Sequence, residues 1–148
     1  MSATNDWETA LLSLQFTNTD TGQMGDATGL RGSSTAGVFY IAIHTADPGE
    51  APASGQQTSE AAYTSYARVS VARDTAQWTV TGNTVDNDNV ILFPTATGGS
   101  ETETHVTIGK SSSGAGYVFF SGILTSNLPV VNGTPPQFAP GALDITCD

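Results

Sequence analysis

Apolar residues recur at Trp7, Ala10, Leu11 and Leu14, the i, i+3, i+4, i+7 spacing of one helical face. The spacing predicts a helix over residues 5–16, with Asn5 or Asp6 as its cap and Glu8 near the positive end of its dipole. A helix this short is not stable alone, so its stripe must dock on something. Residues 17–37 are mostly Gly, Thr, Ser and Asp and read as a long loop. Then the texture changes. Val38-Phe39-Tyr40-Ile41-Ala42-Ile43 predicts a central strand covered on both faces. Turn chemistry at Ala46-Asp47-Pro48-Gly49-Glu50 stops it, and residues 51–62 read as a second polar loop.

From Tyr63 the chain alternates strand and turn. Ala67, Val69 and Val71 alternate with Arg68, Ser70 and Ala72, the pattern of a half-buried strand. Trp78–Thr81 and Thr84-Val85 flank a Gly82-Asn83 turn, and Asn89–Phe93 stops at Pro94. Val106 and Ile108 alternate with His105 and Thr107. Ser111–Gly116 reads as a hairpin-like connection to Tyr117–Phe120, a second run apolar on both faces. Leu143, Ile145 and Cys147 alternate with Asp144 and Thr146. The pattern predicts an all-β fold, an antiparallel β-sandwich or jelly-roll-like barrel with one short N-terminal helix. It divides as a helix and extended arm over 1–37 and a β-sandwich domain over 38–148.

Charge narrows the function classes. Four cations (Arg31, Arg68, Arg73, Lys110) face fourteen carboxylates, for a net charge of −10 over 148 residues. Nucleic-acid binding needs a basic face, and an anionic membrane surface needs one too, so neither partner is expected. Cys147 is a lone thiol, which rules out an intrachain disulfide framework but leaves an intersubunit bridge open. The opening residues Met1–Asp6 have no basic or apolar signal region, so no secretory signal is expected.

No catalytic set emerges. His44 and His105 lie at strand edges beside hydroxyl and acidic groups, and a hydrogen-bonded strand histidine explains each more simply than a metal or acid–base role. Asp86-Asn87-Asp88-Asn89 opens like a calcium loop. Its sixth and twelfth positions are Ile91 and Thr97, where Gly and Glu are needed, so it reads as a solvated turn. Glu101 and Glu103 share a strand face and, with Glu60 or Asp74, imitate a glycosidase pair only as any acidic chain would. Trp7 and Trp78 read as packing residues before glycan-stacking ones. No cofactor, metal or enzymatic activity is expected.

Four segments, in order along nearly the whole chain, resemble a family of tailed-bacteriophage virion proteins. They are the amphipathic opening Asn5–Leu12, then Phe39–Glu50, similar to that family's "LHTADPGE" strand end. Next come Tyr66–Val71, similar to "YARVAV", with Val90–Thr97. The last set is Thr104–Gly109, Phe120–Thr125 and Phe138–Asp148. The resemblance implies a non-enzymatic virion component made in the host cytoplasm. It implies partners among the major capsid protein or tail proteins of the same virion, and a homotrimer or other symmetric oligomer. The first expectation is a capsid decoration (cement) protein stabilising the head. The alternative is a tail-fibre or baseplate-associated domain, and a third is a glycan-binding β-domain. The stripe Trp7, Leu11 and Leu14 is the expected assembly interface, with loop 17–37 beside it.

Overall fold

The computed structural model describes residues 3–22, 29–49 and 55–147. The chain groups into two compact units, one built from residues 1–37, 72–90 and 138–148, the other from 38–71 and 91–137. The expected all-β class holds: the ladders are antiparallel, one short helix opens the chain, and no sheet closes into a barrel among the described residues.

In the first unit, α1 (Asn5–Phe16) packs on β3 (Trp78–Thr81) and β4 (Thr84–Asn87), which pair with β9 (Asp144–Thr146) in the order β3-β4-β9. Helix α1 has the expected ends, but its cap and buried face differ from expectation. The N-cap is Thr4, whose side chain makes no capping bond, and Glu8 is buried. The fully buried residues are Leu12 and Phe16, while Trp7, Ala10, Leu11 and Leu14 are half-buried. Leu12 and Phe16 form their own i, i+4 pair, and the aromatic that Phe16 meets helps decide which stripe turns inward. The Phe16 ring stands edge-on to Trp78 with centroids 4.9 Å apart. Trp78 donates its indole N–H to the Ala72 carbonyl at 2.8 Å.

The C-terminal end of α1 has no basic residue of its own. Arg73 supplies the charge, donating to the Leu14, Gln15 and Ala36 carbonyls. A guanidinium there satisfies carbonyls left open by the helix end and suits its negative pole. Of loop 17–37, residues 17–22 and 29–37 hold each other. The Thr21 N–H donates to Leu30 O, and the Asn18 side chain bonds both backbone groups of Ser33. The β3–β4 turn is two residues long, with Gly82 at φ 61° in the first central position, the sign a type II′ turn requires.

The second unit is built on a sheet of order β2-β1-β6-β7: β2 (Val69–Ala72), β1 (Val38–His44), β6 (Glu101–Gly109) and β7 (Val118–Val130). β1 lies inside the sheet as expected, and Ile41, Ala42, Ile43 and His44 are all buried. It pairs with β6 from Tyr40↔Gly109 to His44↔His105. The short β5 (Ile91–Leu92) pairs with β8 (Gln137–Phe138), where the chain leaves this unit. Tyr117–Phe120, the second run apolar on both faces, leads into the outer strand, where only Val130 of β7 is buried and Tyr117 and Phe119 are exposed. An apolar run records what a strand can bury, whereas its place in the sheet is set by pairing. No helix among the described residues is long and apolar enough to cross a membrane.

Candidate functional site

The most elaborate polar construction lies in the second unit around Arg68. The alternation at residues 67–72 predicts an outward Arg68, yet it is buried and Ala67 is exposed. Its Nε and Nη2 donate to the two Glu60 carboxylate oxygens at 2.6 and 2.8 Å. Its remaining donors reach Gln56 Oε1, Gln56 O, Ser111 O and Gly114 O at 2.7–3.2 Å. Glu60 also accepts from the Tyr66 hydroxyl at 2.9 Å. Burial, then the Glu60 charge, push the Tyr66 phenol far above its ordinary range. One planar fork thus joins a 3-10 turn (Gly55–Gln57) to the β6–β7 connection. Gln56 is buried against Gly109 and Gly116, where a Cβ would collide with its amide, so those two glycines are required by close approach.

His44 is also fully satisfied. Its ring nitrogens bond Thr58 O at 2.9 Å and Thr107 Oγ1 at 2.8 Å. Burial lowers its pKa and holds the ring neutral. His105 faces it in register, with Thr104 Oγ1 2.8 Å from its Nδ1. The two histidines therefore stand opposite each other in one ladder, but both ring nitrogens of His44 are already engaged.

Glu101 and Glu103 do share a region of β6, in different roles. Glu101 Oε1 accepts the backbone N–H groups of Ala62 and Tyr63 at 2.9 and 2.8 Å. Glu103 has no exposed surface, and neither of its oxygens meets a partner. Burial first, and then the Glu101 charge, raise its pKa to about 8. Burial beside the same two carboxyls pushes Tyr63 up to about 12. A proton on Glu103 thus stabilises the folded state, because the unfolded carboxyl titrates near its ordinary 4.5. Stability is fullest at or below that value and falls as pH rises toward about 8. His44 acts in the opposite sense: its lowered folded pKa removes stability as pH falls below 6.5. Glu103→Gln is therefore expected to flatten the decline between pH 5 and 8, which at its steepest is about 1.4 kcal/mol per pH unit for one proton. Urea unfolding at stepped pH measures this; an unchanged slope would contradict it.

In the first unit, the Asp86–Asn89 stretch serves the fold. Asn87 donates to Asn89 O and Ala139 O and accepts from the Leu143 N–H. The Asp144 carboxyl, hydrogen-bonded to Asp86 and of like charge, raises the Asp86 pKa. Among the described residues no three His, Cys, Asp or Glu side chains converge as metal ligands. A shallow cleft of about 390 Å³ in the second unit is lined by Leu128, Pro129, Thr134, Pro135, Pro136 and Gln137, none of them titratable. Trp7, Leu11 and Leu14 stay together on α1 as a half-buried stripe. The sequence reasoning missed the buried Arg68–Glu60 pair. The signal for it was chemical: one of only four cations, eight residues from a carboxylate, with Tyr63 and Tyr66 between them.

No curated protein matches the chain. A family model described as Podophage GP4 fiber I protein gp80 matches residues 4–146, covering both units. With a match of that extent, the chain belongs to the Podophage GP4 fiber I protein gp80 family and is a structural protein of the bacteriophage virion.

Proposed function

We propose that this protein is a subunit of the fibre or tail-associated adsorption apparatus and does no catalysis itself. The observation that carries this is the family match over residues 4–146, whose description names a fibre protein. The chemistry of the second unit supports it. Among the described residues, Arg68, Glu60, His44 and Gln56 are engaged in holding turns and strands together, which suits a structural part. Such a part works by being placed, through contacts repeated by symmetry. We assign the half-buried stripe Trp7, Leu11 and Leu14 to one such contact.

Antibody-gold labelling of intact virions, with copy number from quantitative mass spectrometry, tests the proposal. Tail labelling with copies in single figures to dozens is expected, and virions lacking the protein should adsorb poorly to host cells. Labelling over the head with hundreds of copies would replace this reading with capsid decoration.

A further inference from the structure

We propose that Glu103 and Glu101 share one proton in a carboxyl–carboxylate hydrogen bond, and that this bond is a pH-released latch holding the segment 61–66 onto β6. The inference does not depend on where in the virion the protein sits. It starts from two acceptors placed together. Glu103 has no exposed surface, and neither of its oxygens meets an N–H or hydroxyl donor. An ionised carboxylate only accepts hydrogen bonds, and burying one with neither donor nor counter-charge is strongly unfavourable. The polar group beside it is the Glu101 carboxyl, within hydrogen-bonding reach and itself an acceptor. Two acceptors bond only when one of them carries a proton. Glu101 receives two backbone N–H groups; Glu103, with none and with no access to water, is the one that keeps the proton.

What the pair holds is the segment from Ala61 to Tyr66. The N–H groups of Ala62 and Tyr63 both end on Glu101 Oε1, and the Tyr63 hydroxyl donates to Pro94 O. Ala61 and Tyr63 are buried. Ser65 stands at φ 82°, a left-handed conformation that a residue other than glycine keeps only where its surroundings impose it. The surroundings here are Glu101 on one side and, on the other, the Thr64–Gly98 bridge with Ser65 Oγ against Thr97 Oγ1. The β6–β7 ladder also loses its register just past Glu103, so the strand is least regularly paired where the latch sits.

Few other titratable groups stand near. On the same strand are Glu101 and, beyond the irregularity, His105, which bonds Thr104. The segment 61–66 brings Tyr63, whose phenol stays protonated because burial, then Glu103 and Glu101, push it up to about 12. β7 sets Leu128 opposite Glu103 and has no charged residue, and neither has the 91–97 segment that receives the Tyr63 hydroxyl. Among the described residues no cation pairs with either glutamate; the ion pairs are Arg31–Asp20 and Arg68–Glu60. Once the proton leaves, two like charges face each other and Glu103 needs water, which reaches it when the segment lifts. Glu103 titrates at about 8 in the closed form and near its ordinary 4.5 when solvated. The lifted form therefore gains on the closed one by up to about 10-fold per pH unit between those values, and no further above them.

Amide exchange on the full chain, followed by NMR from about pH 6 to about pH 9 and corrected for the intrinsic base-catalysed rate, tests this. Protection of the Ala62 and Tyr63 N–H groups is expected to fall at least about 10-fold between about pH 6 and about pH 8 and then to level off. In Glu103→Gln the side-chain amide donates to Glu101 in the proton's place, so the same two protections should stay flat with pH. Carboxyl-carbon NMR of the wild type needs no variant: one glutamate should still be in the acid form at about pH 7. Protection in the wild type that ignores pH, an unchanged slope in Glu103→Gln, or the absence of an acid-form glutamate at neutral pH would each overturn the proposal. So would protection that EDTA abolishes, since a cation and not a proton would then join the pair.

Discussion

Arg68→Ala is expected to destabilise the second unit by about 3–5 kcal/mol, the range for removing one member of a buried ion pair. The five N–H groups of the guanidinium face six acceptor atoms, two of them the Glu60 oxygens, with one N–H on Nη2 shared between two acceptors. Without it, Glu60 loses both guanidinium bonds and retains the Tyr66 hydroxyl, and the buried Gln56 loses the donor to its carbonyl, as do the more accessible carbonyls of Ser111 and Gly114. Arg68→Lys keeps the charge but not the planar fork, so it should recover part of the loss and no more. Chemical unfolding gives the magnitude. Faster amide exchange in residues 55–60 and 111–116 would locate it, because those are the segments the fork ties together. A cost below 1 kcal/mol for Arg68→Ala would mean the network contributes little.

Trp78→Ala should have a comparable effect on the first unit, about 3–5 kcal/mol for truncating a buried aromatic in a packed core. Trp78 and Phe16 are both almost wholly inaccessible, and their rings meet edge to face. Phe16→Ala should cost a similar amount. The double variant should then fall short of the sum, by about 0.5–1.5 kcal/mol for the aromatic pair. Deletion of residues 1–16 is the stronger form of the same experiment. It removes Leu12 and Phe16 together and uncovers Trp78, so we expect loss of the first unit's cooperative melting. A β-domain that melts unchanged without its helix would show that α1 is an accessory arm and not part of the core.

Local order was largely visible in the residues. The helix ends at Asn5 and Phe16, the β3–β4 hairpin around Gly82-Asn83 and the last alternating strand follow from near-neighbour physics: a 3.6-residue period, a turn needing positive φ, a two-residue alternation. β1 was legible because Val38–Ile43, six residues apolar on both sides of the pleat, have few other places to go. The family resemblance was legible for a related reason, since it rests on strand ends and turns whose residues are constrained locally.

Tertiary structure alone decided the rest, wherever the partner is far away in sequence. Tyr117–Phe120 is as apolar as β1, yet it leads into β7, the outer strand of the sheet among the described residues, and composition carries no information about strand order. Arg68 lies on the face that alternation assigns to solvent. It is buried because Glu60, Gln56 and two carbonyls more than forty residues away converge on it, compensating a desolvation that no local pattern reveals. Glu103 differs from Glu101 only in what surrounds it: one carboxyl receives two backbone N–H groups and the other receives none. Periodicity determines which side chains share a face of an element; whether that face meets water, a core or a second molecule is settled only when distant segments close over it or leave it open.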